Sequence, residues 1–267
     1  MMPIGYNRLC HLSDFAALES DWQEFFGHTG AGREIRKEWE VVQSLRGLRD
    51  HGVLHRQARV LGVGAAHEWT AFYLTRFCEQ VFCTDLYVSP GGWHEWAHKE
   101  MLTDPSPYAE GREFDRQRLV VQDMDARDLR YPDAFFDGIF SASSIEHVGD
   151  LEDVATAMHE MGRVLRPGGI IALTTEFKVS AHDGNGWANV RVFSPDTLQQ
   201  YVIEPSGCAL VDVPVYTLDQ ATLDTVQDLN WAVNLARSGQ MIPPPHIVLK
   251  QGEYLFTSVS VTLRKPT

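Results

Sequence analysis

From Arg59 onward the chain alternates short apolar runs with stretches of helical spacing. Arg59–Val63, Gln80–Leu86, Arg118–Gln122, Phe136–Ser141 and Gly169–Thr175 have the length and composition of strands. Ala209–Tyr216 and Tyr254–Leu263 supply two more. Between them, Ala66–Glu79 and Asp150–Arg166 are expected to be helical, the second opened by Asp150 as a cap with Asp153 three residues on. Ser194-Pro195 opens another helix, with serine at the cap and proline in the first turn. Strands alternating with helices predict an α/β fold with a mostly parallel sheet covered on both faces. The expected form is a seven-stranded, Rossmann-like, doubly wound sheet with an antiparallel last strand.

The first 58 residues have a different rhythm. Residues 13–27 suggest a short helix with Ser13 as its N-cap. From Gly32, Ile35, Trp39, Val42, Leu45 and Leu48 recur at helical spacing, and Gly52 is a plausible stop. The predicted organisation is an N-terminal helical cap over residues 1–58 and a core over 59–267, with insertions near 87–117 and 217–250. Arg33, Arg36, Lys37, Arg46 and Arg49 are interleaved with Glu34, Glu38 and Glu40, which predicts a solvated helix face.

In a doubly wound sheet, ligands sit beyond the carboxyl ends of the strands. The first such end is RVLGVGAAHEW, residues 59–69. Gly62 and Gly64 allow a tight turn and close backbone approach to a ligand. The second is Asp85, about twenty residues on, where a carboxylate can accept both hydroxyls of a ribose. The third is QDMDA, residues 122–126: Asp125 can accept from an adenine amino group, Ala126 can face the ring with its N–H, and Met124 can supply an apolar face.

The series VLGVG, FCTDL, DARDLRYPDAFFDGIFSASSIEHV and RVLRPGG resembles the class I S-adenosylmethionine-dependent methyltransferases over roughly residues 59–175. The resemblance implies S-adenosyl-L-methionine as cofactor and S-adenosyl-L-homocysteine as product. It assigns Gly62, Val63, Gly64 and Ala65 to the methionine end, and Asp85 and Leu86 to ribose and adenine. Asp125 and Ala126 match the adenine-edge position, and Ser141 and Ala142 the strand end facing the cofactor amine. The first loop departs from the family. The usual acid two residues before the main glycine is Gly62, and the usual second and third glycines are Ala66 and Glu68. Glu68 is a candidate substitute for the missing acid. A dinucleotide site would want GxGxxG, which the loop lacks.

Methyl transfer from a sulfonium needs the acceptor in line with the S–CH₃ bond, and a base only where the acceptor must lose a proton. His147, just beyond the fourth strand, is the main base candidate and His182 a weaker one. A metal is not expected: Ser143 breaks the acid-xx-acid-His pattern that Glu146 and His147 would complete. Two segments are expected to build an acceptor pocket. Residues 87–117 carry Trp93 and Trp96, and residues 183–193 carry Trp187.

Composition narrows the acceptor. The chain has 36 acids against 23 bases, a net charge of −13, which repels nucleic acid on average. No run of about 18 apolar residues exists to span a membrane. The N-terminus lacks a signal pattern, and the four scattered cysteines suit free thiols in a reducing compartment, so a cytoplasmic location is expected. The expected function is methylation of a small molecule at oxygen or nitrogen, with a possible homodimer through the N-terminal helices. The alternatives are a cofactor-binding protein without catalysis, or an enzyme methylating a protein or nucleic acid.

Overall fold

The computed structural model describes residues 4–90 and 96–267. In chain order its main elements are helices α1 (Glu19–Phe26) and α2 (Arg36–Asp50), strand β1 (Arg59–Val63), helix α3 (Trp69–Leu74), strands β2 (Gln80–Asp85), β3 (Leu119–Asp123) and β4 (Phe136–Ala142), helix α4 (Leu151–Val164), and strands β5 (Leu165–Lys178), β6 (Leu249–Gln251) and β7 (Tyr254–Arg264). The sheet runs β3-β2-β1-β4-β5-β7-β6. Neighbours from β3 to β5 are parallel, and β7 is antiparallel to both β5 and β6.

Six of the seven expected strands form at length, Leu249–Gln251 adds one that was not expected, and three two-residue strands bring the sheet to ten among the described residues. Arg8–Leu9 and Ala209–Leu210 pair with β7, and Gln227–Asp228 with β6. The strand expected over Ala209–Tyr216 is therefore shorter. Pro214 lacks the N–H a ladder needs. The Asp212 side chain instead accepts the Tyr6 N–H at 2.7 Å and the Asn7 N–H at 3.1 Å, which ties the N-terminal segment to this edge.

Helices cover both faces. On one, Trp39, Val42, Leu45 and Leu48 of α2 are fully buried, as their spacing predicts, each contributing about 1.5–3 kcal/mol by burial. Gly47 lets α2 approach closely, since a Cβ there would lie 3.0 Å from Ala172 Cβ. On the other face, Val154, Met158 and Met161 of α4 pack with Ile139, Ile171 and Val261. Asp150 and Asp153 form the reciprocal cap that opens α4.

Two helices differ from expectation. The stretch 13–27 is broken at Leu18 into Asp14–Ala17 and α1, and Ser13 makes no side-chain cap. The helix expected over 66–79 is only α3. Ala66 has φ 39°, which no helix continues through, and the Thr75 hydroxyl donates to the Phe72 carbonyl at 2.7 Å and closes the far end.

The basic residues of α2 are solvated only in part: the Lys37 side chain is half exposed, whereas Arg36 and Arg46 are mostly buried in ion pairs. The Arg36 side chain is 14% exposed, between Glu40 at 3.3 Å and Glu176 at 2.8 Å. That of Arg46 is 7% exposed, 3.4 Å from Asp21. The acids that pair with them come from distant parts of the chain, a relationship local spacing does not carry.

Candidate active site

The sheet order reverses at β1 and β4, so their carboxyl ends diverge and leave a crevice. A cavity of about 710 Å³ occupies it. Gly64, Asp85 and Asp125, from the ends of three adjacent strands, all line this one space, with Leu86, Met124, Ala126 and Ala142. Phe26 and Val41 from the N-terminal helices, Trp69 from α3 and Trp96 from the long connection after β2 also line it.

Side chains fix the loop after β1. Asp85 accepts the Ala66 N–H at 2.9 Å and the Leu86 N–H at 2.7 Å. The buried Tyr87 hydroxyl donates to the Ala66 carbonyl at 2.6 Å. Gly64 sits at φ 59°, and a Cβ there would come within 1.6 Å of Ser144 Oγ. The loop therefore packs backbone-first against the turn after β4, which only glycine permits. Asp123 accepts from the backbone of Val88 at 2.8 Å and of Ser89 at 3.2 Å, holding the start of the connection.

Asp125 is partly engaged. Arg127 donates to it through Nε at 3.0 Å and Nη2 at 2.7 Å, and also reaches Asp153 at 2.9 Å. These bonds hold the Asp125 carboxyl below its ordinary range. Most of its acceptor capacity is spent on Arg127, so the Ala126 backbone and the Leu86 and Met124 side chains are left as the larger part of an adenine slot.

Not every expected site residue reaches the cavity. Gly62, Val63, Ala65 and Ser141 are buried behind it in the sheet layer. A Cβ at Gly62 would lie 2.4 Å from Phe140 Cζ, so the ring of Phe140 fills the place of the usual acid. Trp187 is also displaced from its expected role. It packs on Tyr254 and Phe256, with ring centroids 5.5 Å and 5.2 Å away, and does not line the cavity. His182 lies with it, 3.4 Å from Glu253 and edge-on to Tyr254, so it is not placed to act as a base in this space. Trp93 falls outside the described residues.

His147 does line the cavity, and its Nδ1 donates to the Asn189 carbonyl at 3.1 Å. A carbonyl only accepts, so this bond selects the tautomer whose Nε2 carries the lone pair. Burial, with Lys37 and Arg36 nearby, lowers its pKa to about 4, so the ring is neutral at pH 7. The segment 183–193 thus contributes a backbone carbonyl rather than an aromatic wall.

Lys37 is the main residue that sequence reasoning missed. It lines the cavity from α2 and reaches Glu68 at 2.7 Å, Glu40 at 3.3 Å and the Ala142 carbonyl at 3.1 Å. Burial opposes its charge, but Glu68 and Glu40 outweigh burial and raise its pKa. Beneath it, Glu146 is fully buried. Desolvation, then the Glu176 charge, lifts its carboxyl to about 8. Among the described residues no three His, Cys, Asp or Glu side chains form a group that could hold a metal ion. No described helix is long and apolar enough to cross a membrane.

Comparisons with known proteins agree with this geometry. A family model described as a methyltransferase domain matches residues 61–173. The 27-O-demethylrifamycin SV methyltransferase of Amycolatopsis mediterranei is 43% identical over 56 residues, which are 21% of this chain and 20% of that protein. This chain therefore matches only about a fifth of that relative's length. Among solved structures, the YcgJ protein of Bacillus subtilis is 19% identical with a TM-score of 0.55, covering 83% of this chain and 97% of its own. The 4+2 cyclase SpnF is 16% identical with a TM-score of 0.57, covering 96% and 94%. A geranyl diphosphate methyltransferase in complex with S-adenosylmethionine is 11% identical with a TM-score of 0.53, covering 85% and 86%. At these identities the structural likeness concerns the fold alone, and the matched model makes residues 61–173 a methyltransferase domain.

Proposed function

We propose that the protein transfers the methyl group of S-adenosylmethionine to oxygen or nitrogen of a small-molecule acceptor. The observation that carries this is the meeting of Gly64, Asp85 and Asp125 around one cavity that Phe26, Trp69 and Trp96 also line. The residues fit the cofactor. Gly64 lines the cavity with its backbone packed close against Ser144, Asp85 brings a carboxylate to the same space, and Met124, Leu86 and Ala126 suit an adenine ring. A volume near 710 Å³ is in the range of small-ligand sites, about 300–1,000 Å³.

When bound, the cofactor supplies an electrophilic methyl on a neutral leaving thioether. The remaining work falls to the protein. The aromatic wall excludes water and holds the acceptor in line. His147, neutral and with Nε2 as its acceptor nitrogen, is the group we assign to take a proton from a hydroxyl acceptor. The relative named as a 27-O-demethylrifamycin SV methyltransferase supports oxygen of a small molecule as the acceptor. We take residues 1–58 as the cap that shapes the acceptor side and 59–267 as the core. Calorimetric titration with S-adenosylhomocysteine tests the cofactor site. Incubation of phenols, alcohols and amines with labelled S-adenosylmethionine tests transfer, and binding with no labelled product from any of them would contradict it.

A second reading follows from the altered first loop and from SpnF, which is named as a cyclase. In it the cofactor is retained and a reaction other than methyl transfer occurs in the same cavity. Conversion of an acceptor without release of S-adenosylhomocysteine distinguishes it. A homodimer would use the outer faces of the N-terminal helices, because Trp22, Trp39 and Leu45 are already buried within the chain. Its test is the mass in solution by light scattering.

A further inference from the structure

We infer that Lys37 and Glu68 together form the clamp for the amino-acid end of the cofactor, replacing the acid that the first loop lacks. This rests on the cofactor reading above and goes beyond it by assigning the methionine end to a residue of the N-terminal helices.

Three observations converge. First, the place of the usual acid is closed. A side chain at position 62 would begin 2.4 Å from the Phe140 ring, so no carboxylate can act from that position. Second, Glu68 and Lys37 both line the cavity beside Gly64 and Ser143, and they face each other at 2.7 Å. Third, the pair has the charge pattern of the ligand's end. The homocysteine part of the cofactor is a zwitterion, an ammonium and a carboxylate on one carbon. A carboxylate and an ammonium side by side in a partly buried cleft are its complement. Binding exchanges one internal ion pair for two external ones, Glu68 to the ligand ammonium and Lys37 to the ligand carboxylate, at no change in net charge.

The supports of each partner suit this exchange. Lys37 keeps Glu40 at 3.3 Å and the Ala142 carbonyl at 3.1 Å when it turns from Glu68, so its ammonium stays anchored. Glu40 is in turn held by Arg36 and by Ser258, whose hydroxyl donates to it. Glu68 sits at the N-cap of α3, on the loop that Asp85 and Tyr87 hold through Ala66. The N-terminal helices then complete the cofactor site rather than only covering it.

The test compares two ligands that differ only in this end. S-adenosylhomocysteine carries the zwitterion, whereas methylthioadenosine has the same nucleoside thioether without it. Calorimetric Kd values are measured for both ligands with the parent protein, Lys37→Met and Glu68→Gln, with circular dichroism to verify folding. The expected result is a loss of about tenfold or more in S-adenosylhomocysteine affinity for each variant, with methylthioadenosine affinity within about twofold of the parent. Glu68→Gln keeps the size and leaves Lys37 on Glu40, so it reports even if Lys37→Met is poorly folded. An unchanged ratio of the two affinities in Glu68→Gln overturns the clamp while leaving the cofactor reading intact. Failure of the parent to bind either ligand overturns both.

Discussion

The carboxylate of Asp85 and the backbone N–H of Ala66 are joined at 2.9 Å, nineteen residues apart in sequence, and both residues line the cavity. This bond makes the end of β2 the support of the loop after β1. Asp85→Ala removes both a loop support and the proposed ribose acceptor. We expect it to weaken S-adenosylhomocysteine and methylthioadenosine equally, by about 1–3 kcal/mol. Calorimetry on both ligands checks this. A loss confined to S-adenosylhomocysteine would move Asp85 from the ribose to the amino-acid end.

Restoring the family acid should fail. Gly62→Asp places a carboxylate against the Phe140 ring in a buried strand, so it combines a clash with an unpaired charge. The expected cost is about 3 kcal/mol or more in urea denaturation, with no gain in ligand affinity. A variant as stable as the parent with tighter binding would show that the ring gives way easily.

Glu146 predicts a pH dependence of stability. Its carboxyl is raised from 4.5 to about 8 by burial first and by the Glu176 charge second. Between these values the folded chain keeps a proton that the unfolded chain has lost. Stability therefore falls as pH rises through this window, by up to about 1.4 kcal/mol per pH unit. Glu146→Gln should flatten the slope, so that its stability relative to the parent is higher at pH 8 than at pH 5. Glu176, also raised, leaves a residual slope. Denaturant curves at several pH values measure it, and an unchanged slope would count against a neutral Glu146.

For His147 the sign is opposite. Its pKa is lowered from 6.5 to about 4, chiefly by burial, so the unfolded chain binds a proton that the folded chain does not. The stability it allows is full above pH 6.5 and is lost as pH falls toward 4. Nitrogen-15 chemical shifts should show a neutral ring with Nδ1 protonated at pH 7. On a hydroxyl acceptor, His147→Ala should lower turnover by about 10²–10⁴ while leaving S-adenosylhomocysteine affinity within about twofold. Equal turnover would remove His147 as a base.

The legible part of the site was the part that lies along the chain. Gly64, Asp85 and Asp125 each follow a strand, and parallel pairing with a common direction brings such ends together without further information. The cap of α4 was legible because Asp150 and Asp153 interact within one turn. Lys37 was not, because its role depends on where α2 crosses β4, a tertiary fact that spacing within α2 does not encode. Arg36 looked solvated for the same reason: Glu176 and Ser258 lie more than a hundred residues away. Trp187 was misplaced because an aromatic among glycines suits a pocket wall and a packed hairpin equally, and here Tyr254 and Phe256 supply the surface it covers.

The most direct test of the central claim is a crystal structure of the protein with S-adenosylhomocysteine bound. The account predicts the ribose hydroxyls on Asp85, the adenine between Leu86, Met124 and Ala126, and the sulfur near Gly64 facing Trp69 and Trp96. A ligand seated elsewhere, or in this cavity with its adenine against the aromatic wall, would contradict it.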